Sequence, residues 1–136
     1  MKTLIIFYSY SGHTKALAKI QALNENADIA EIKDASAPGT IKAYSLGCLA
    51  AIRGKAWPIQ GLEVDLDAYD RISLLSPVWA GNPPPAVHAA LELLPEGKTV
   101  SVKMISVSGR SSCKQKLESL IKGKGCAFDG FEDIQA

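Results

Sequence analysis

Leu4-Ile5-Ile6-Phe7-Tyr8 runs directly into Ser9-Tyr10-Ser11-Gly12-His13-Thr14, and this junction decides how the chain is read. A short apolar run of strand length delivers a hydroxyl-rich turn with one glycine into a segment of helical period. The first N–H groups of a helix lack intrahelical partners, and the macrodipole places about half a positive charge there, so an anion at that turn is favoured twice. Ser9, Ser11 and Thr14 add hydroxyl donors, and Gly12 permits close backbone approach or a positive φ. Ser, Thr and Gly are also the ordinary occupants of turns and helix caps. The turn by itself is therefore either a phosphate cradle or a plain cap.

Outward from this turn, strand-length runs alternate with helical ones. Ala16, Leu17, Ile20 and Leu23 share one helical stripe and predict a helix over about His13 to Leu23. Ala27 to Ile32 reads as a weakly patterned strand. Past the Pro38-Gly39 break, Ile41, Tyr44, Cys48, Leu49 and Ile52 recur at helical spacing up to Gly54 and predict a second helix. Lys55 to Leu66, with Trp57-Pro58 and Gly61, shows neither period and reads as a loop. Arg71 to Ser76 predicts a strand stopped by Pro77. Pro83 to Pro85 preset φ for a helix start, with Val87, Leu91 and Leu94 as its buried stripe. Thr99 to Val107 is the longest strand candidate. Ser112-x-x-Gln115 matches a capping box opening a helix with Cys113, Leu117, Leu120 and Ile121 on one face, and Phe128, Phe131 and Ile134 predict a short final strand.

Such alternation requires parallel strands joined by right-handed crossovers, hence an α/β doubly wound sheet with helices on both faces. Ligands of these sheets bind outside the carboxyl ends of the strands. Three loops fall there: Ser9 to Thr14, Ser76 to Asn82 and Ser108 to Ser112.

Composition bounds the rest. The 136 residues read as a single domain, long enough to bury roughly 70% of the surface of an extended chain. A net charge of +1, with 21% charged residues, argues against a general nucleic-acid or membrane binder. Cys48, Cys113 and Cys126 are widely spaced and lack C-x-x-C pairs or histidines at ligand spacing, which fits buried thiols in a reducing cytoplasm and no metal site. The apolar run before Ser9 is too short for a secretion signal or a membrane span.

Taken together, S-Y-S-G-H-T, the run from Tyr69 to Val87 (Y-D-R-I-S-L-L-S-P-V-W-A-G-N-P-P-P-A-V) and S-V-S-G-R at Ser106 to Arg110 resemble the flavodoxin-like family over nearly the whole chain. A-x-R-G-K-x-x-P-I from Ala51 to Ile59 and P-V-W-A-G at Pro77 to Gly81 resemble a branch of small bacterial flavodoxin-domain proteins. The resemblance implies a five-stranded parallel sheet of order 2-1-3-4-5 and noncovalently bound FMN. Ser9, Tyr10, Ser11, Gly12, His13 and Thr14 would surround the phosphate, Tyr10 mainly through its backbone. Pro77, Val78, Trp79, Ala80 and Gly81 would line the isoalloxazine, and Ser108, Gly109 and Arg110 would meet its pyrimidine side or the ribityl chain. Trp79 is expected to stack on the ring rather than lie in the core, because a large aromatic beside Gly81 and three prolines sits poorly in a core. His13 either pairs with the phosphate or faces solvent. His88 shows no visible partner and is assigned no role.

Two departures from the family pattern stand out. The last loop offers Gly109-Arg110 where relatives often carry a second glycine. The sequence also stops at Ala136, short of the terminal helix of such folds, so an apolar sheet face is expected to need a homodimer or an adapted earlier helix as cover.

The function implied is cytoplasmic electron transfer with a redox partner or small-molecule acceptor, or NAD(P)H-dependent reduction of quinone-type acceptors. The alternative is a binding or sensory module of the same fold without redox turnover. No G-x-G-x-x-G, G-x-x-x-x-G-K-[ST], G-x-S-x-G or H-E-x-x-H motif is present, so no catalytic acid, base or nucleophile constellation is expected. A near-neutral charge weakens the pure carrier, since steering to a docking partner needs a strong field.

Overall fold

The structure, a computed structural model, describes residues 2–9, 12–33 and 59–136. In order along the chain these form strand β1 (Thr3–Phe7), helix α1 (His13–Glu25), β2 (Asp28–Glu31), a 3-10 turn (Leu66–Ala68), β3 (Arg71–Pro77), α2 (Pro85–Glu92), β4 (Thr99–Ser106), α3 (Lys114–Gly123) and β5 (Ala127–Gln135). The expected helix between Ile41 and Gly54, and Lys55 and Trp57, lie outside the described residues. The five strands make one parallel sheet of order β2-β1-β3-β4-β5. This is the doubly wound α/β fold that the alternation predicts, with the order that the resemblance implies.

Alternation along each strand divides the core in two. Leu4, Ile6, Ile72, Leu74, Val100, Val102 and Met104 pack into one cluster with Val87 and Leu91 of α2 and Leu117 and Ile121 of α3. On the other face Ile5, Phe7, Leu75 and Ile105 meet Ala18 of α1.

Four expectations are corrected. In α1 the inward residues are Thr14 and Ala18, helped by Leu17 and Ala22, whereas Ile20 and Leu23 are 56% and 84% exposed. Small side chains let the helix lie close to the sheet, so the packed face is rotated away from the largest apolar residues. In α3, Leu120 is 40% exposed while Cys113, Leu117 and Ile121 are fully buried. The capping box does not form: the helix begins after Cys113 with no side-chain cap, and Ser112 is engaged elsewhere. Lastly, β5 is a nine-residue strand rather than a short one.

That length depends on a bulge. Val100 pairs with Phe128 but Ser101 pairs with Gly130, so Asp129 is the extra residue. Phe128 and Phe131, three apart in sequence, are thereby brought to the same face, opposite Val100 and Val102, and both pack on the larger cluster. Ile134 then faces the smaller one.

On the α1 side, β3, β4 and β5 carry polar groups: Ser73 and Ser101 hydrogen-bond at 3.1 Å, Lys103 donates to Gln21 at 2.9 Å, and Arg71 pairs with Asp129 at 2.6 Å. This face is therefore mixed: polar over Arg71, Ser73, Ser101 and Lys103, with Lys103 held by Gln21 of α1, and apolar over Leu75, Ile105 and Ile134.

Candidate functional site

At the end of β1 the chain passes through buried Tyr8 to Ser9, whose Oγ accepts the N–H of Gly12 at 3.0 Å and of Lys15 at 3.3 Å. Ser9 thus works as the helix cap. Gly12 stands at φ 95°, a left-handed conformation that a side chain would strain. The N–H groups of His13 and Thr14 have no hydrogen-bond partner among the described residues. No acidic side chain occupies the first turn of α1, so its positive pole is left uncompensated. Both readings of this turn are physically realised: the serine caps, and two donors remain for an anion. Tyr10 and Ser11 lie outside the described residues.

Past β3, Trp79 and Asn82 exchange backbone bonds of 2.8 and 3.0 Å around Ala80 and Gly81. Both central residues take positive φ, 52° and 80°, as a tight two-residue turn of this hand requires. Glycine accepts this freely, whereas Ala80 stores about 1 kcal/mol of strain there. Asn82 ties the turn with its side-chain amide on the Ala80 carbonyl at 3.0 Å. Trp79 is only 3% exposed, with its ring edge-on to Tyr8 at 6.0 Å and 74°. The indole belongs to the core for most of its surface and reaches the site with a margin, contrary to the expectation that it avoids the core. An edge-to-face partner, Tyr8, makes that burial favourable.

Past β4 the backbone turns through Gly109 at φ 69°. The Arg110 N–H lies 3.2 Å from Ser106 Oγ and 3.3 Å from Ser108 Oγ, and Ser106 O accepts the N–H of Ala136 at 2.7 Å. Ser111 donates to Asp133 at 2.6 Å. The third loop is therefore anchored to the end of β5, and any Cβ at Gly109 would stand 3.2 Å from that of Gln135.

The three loops enclose one cleft of about 610 Å³ at the carboxyl ends of the central strands. Of the residues expected from sequence, His13, Thr14, Pro77, Val78, Trp79, Gly81, Ser108 and Arg110 line it. Ser9, Gly12, Ala80 and Gly109 shape the loops without forming its wall. Ile105, Ser106, Val107 and Ala136 also line it and were not anticipated. Ser106 and Val107 follow from β4 ending at Ser106, with Val107 left 82% exposed, which the sequence-stop at Val107 misses by one residue. Ala136 requires the full length of β5, for which the sequence offers only Phe128, Phe131 and Ile134 as signal. Among the described residues neither Asp nor Glu lines the cleft, while His13 and Arg110 do, so its electrostatics suit an anionic ligand. Among the described residues no group of three or more His, Cys, Asp or Glu side chains is placed to hold a metal, and no helix is long and apolar enough to cross a membrane.

No protein-family model matches the chain, and no curated protein does. Solved structures do match. A flavoprotein in complex with FMN from Lactobacillus acidophilus NCFM is 27% identical, with a TM-score of 0.74 over 96% of this chain and 91% of that one. Flavodoxin 1 from Bacillus cereus is 20% identical, with a TM-score of 0.56 over 100% of this chain and 86% of its own. An NADPH-quinone reductase from P. pentosaceus is 13% identical, with a TM-score of 0.64 over 99% and 85%. The last two likenesses concern the fold alone.

Proposed function

Because this chain is a flavodoxin-like protein, we propose that it binds FMN in the three-loop cleft and uses it for electron transfer, as a small NAD(P)H-dependent reductase of quinone-type acceptors. One observation carries this reading: loops from three different strands converge on a single cleft whose floor includes the uncompensated N-terminus of α1. The residues fit the cofactor. An anionic phosphate matches the N–H groups of His13 and Thr14, which have no partner among the described residues, and 610 Å³ lies within the range of small-molecule and cofactor sites. Val78 and Val107 supply apolar surface for a planar ring, and Ser108 and Arg110 supply polar groups at the rim.

Bound FMN would supply the redox chemistry, accepting electrons and passing them on. The chain's part is to bind, orient and shield. Thr14 and the first turn of α1 hold the charged end, the tight turn at Ala80-Gly81 sets one wall, and the loop closed by Ser106 and Ser108 sets the other. A net charge of +1 favours a reductase with a small-molecule donor over a carrier that finds its partner by long-range steering. The reading places the protein in the cytoplasm, supported by the free, buried thiols of Cys113 and Cys126.

The visible spectrum tests it. Protein mixed with excess FMN and desalted is expected to stay yellow and to bleach when NADPH is added without oxygen. Yellow protein that NADPH leaves unchanged would contradict the reductase but keep the cofactor. Colourless protein would point to a module of this fold without redox turnover.

A further inference from the structure

We propose that Ser112, outside the cleft wall, is a positioning residue that holds the second and third loops at the separation the cofactor needs; this rests on the FMN reading above. The strands cannot do this by themselves, since the β3–β4 ladder ends at the pair Pro77 and Ile105. Beyond it the Gly81 carbonyl accepts the Ser112 N–H at 2.9 Å and the Ser112 Oγ–H at 3.1 Å.

The peptide between Gly81 and Asn82 is thereby fixed at both ends, because the Asn82 N–H donates to the Trp79 carbonyl at 3.0 Å. The contact is close enough that a Cβ on residue 81 would stand 2.6 Å from Ser112 Oγ. Gly81 lines the cleft and Ser112 does not. The N–H groups of Ala80 and Gly81 have no partner among the described residues, so a fixed Gly81 carbonyl also fixes how these donors are offered to a ligand. This explains why the apparent capping box is not used for capping: the hydroxyl expected on the first turn of α3 is bonded to the neighbouring loop instead.

The test compares the wild type with Ser112→Ala and Ser112→Thr. FMN affinity is read from quenching of flavin fluorescence, the bound visible spectrum is recorded, and apoprotein stability is measured in urea. Losing one hydrogen bond from the loop is expected to weaken FMN binding about fivefold in Ser112→Ala, with an altered visible band. The apoprotein midpoint should barely move, because Ser112 is exposed and its N–H bond remains. Threonine, which keeps the hydroxyl, should restore both affinity and spectrum. Unchanged affinity and spectrum in Ser112→Ala, or a threonine variant as weak as the alanine one, overturns the role of Ser112 while leaving the FMN reading intact. A wild type that does not bind FMN removes both.

Discussion

His88 sits in α2 with only 5% of its surface exposed and with Nε2 lacking a hydrogen-bond partner among the described residues. Burial pushes its pKa below the ordinary 6.5, nearby Lys116 adds to the depression, and Glu92 opposes it. An unfolded chain takes up a proton near pH 6.5 that the folded protein still refuses, so its titration adds no cost above that pH. Stability is lost as the pH falls below 6.5 toward the depressed folded value, at no more than about 1.4 kcal/mol per pH unit. Urea denaturation at pH 7.5 and 5.5 should show this loss in the wild type and a smaller one in His88→Leu. At pH 7.5 the variant should equal or exceed the wild type by about 1 kcal/mol, since it removes an unpaired buried nitrogen. The sequence shows a histidine with no partner, and nothing in that spacing reveals that the side chain is buried. At the same scale most cleft residues were legible, because the loops after β1, β3 and β4 fall at the carboxyl ends of the strands, where ligands of such sheets bind. Trp79 was misjudged because its partner Tyr8 lies 71 positions away, as the numbering shows, and only the fold brings the rings together.

The elements were legible wherever period and punctuation agree. Prolines 83 to 85 mark the start of α2, Val87 and Leu91 lie on its buried stripe as spacing predicts, and Leu94 is buried just past its end. They were misread where size competes with fit. In α1 the large residues Ile20 and Leu23 face outward while Thr14 and Ala18 face the sheet, and hydrophobicity ranks these in the wrong order. Substitution separates the two assignments. Leu23→Gln is expected to change stability by less than about 0.5 kcal/mol, whereas Ala18→Leu should cost about 1–3 kcal/mol by overpacking the helix against Ile5, Phe7 and Leu75; both are measurable by thermal or urea unfolding. The bulge at Asp129 had no legible signal, since Gly130 beside it reads equally well as a turn. Without that extra residue Phe128 and Phe131 would lie on opposite faces, which is why period-two reasoning recovered only fragments of β5.

For the molecule as a whole, one sheet order gathers chemistry from three distant stretches of chain. Placing β1 between β2 and β3 sets the first loop beside the second, and β4 next to β3 brings up the third. The α1-side surface of β3 to β5 is mixed: Ser73 bonds Ser101, Arg71 pairs with Asp129 and Lys103 reaches Gln21 of α1, beside apolar Leu75, Ile105 and Ile134. Among the described residues the His13 and Thr14 N–H groups at the N-terminus of α1 have no partner, and the proposal turns on a phosphate binding there. Comparing FMN with riboflavin, the same ring and ribityl chain without the phosphate, isolates that site. Two charge-assisted N–H bonds predict at least about a hundredfold tighter binding of FMN in a fluorescence titration of the protein. Equal affinity for the two flavins would contradict the phosphate site at α1.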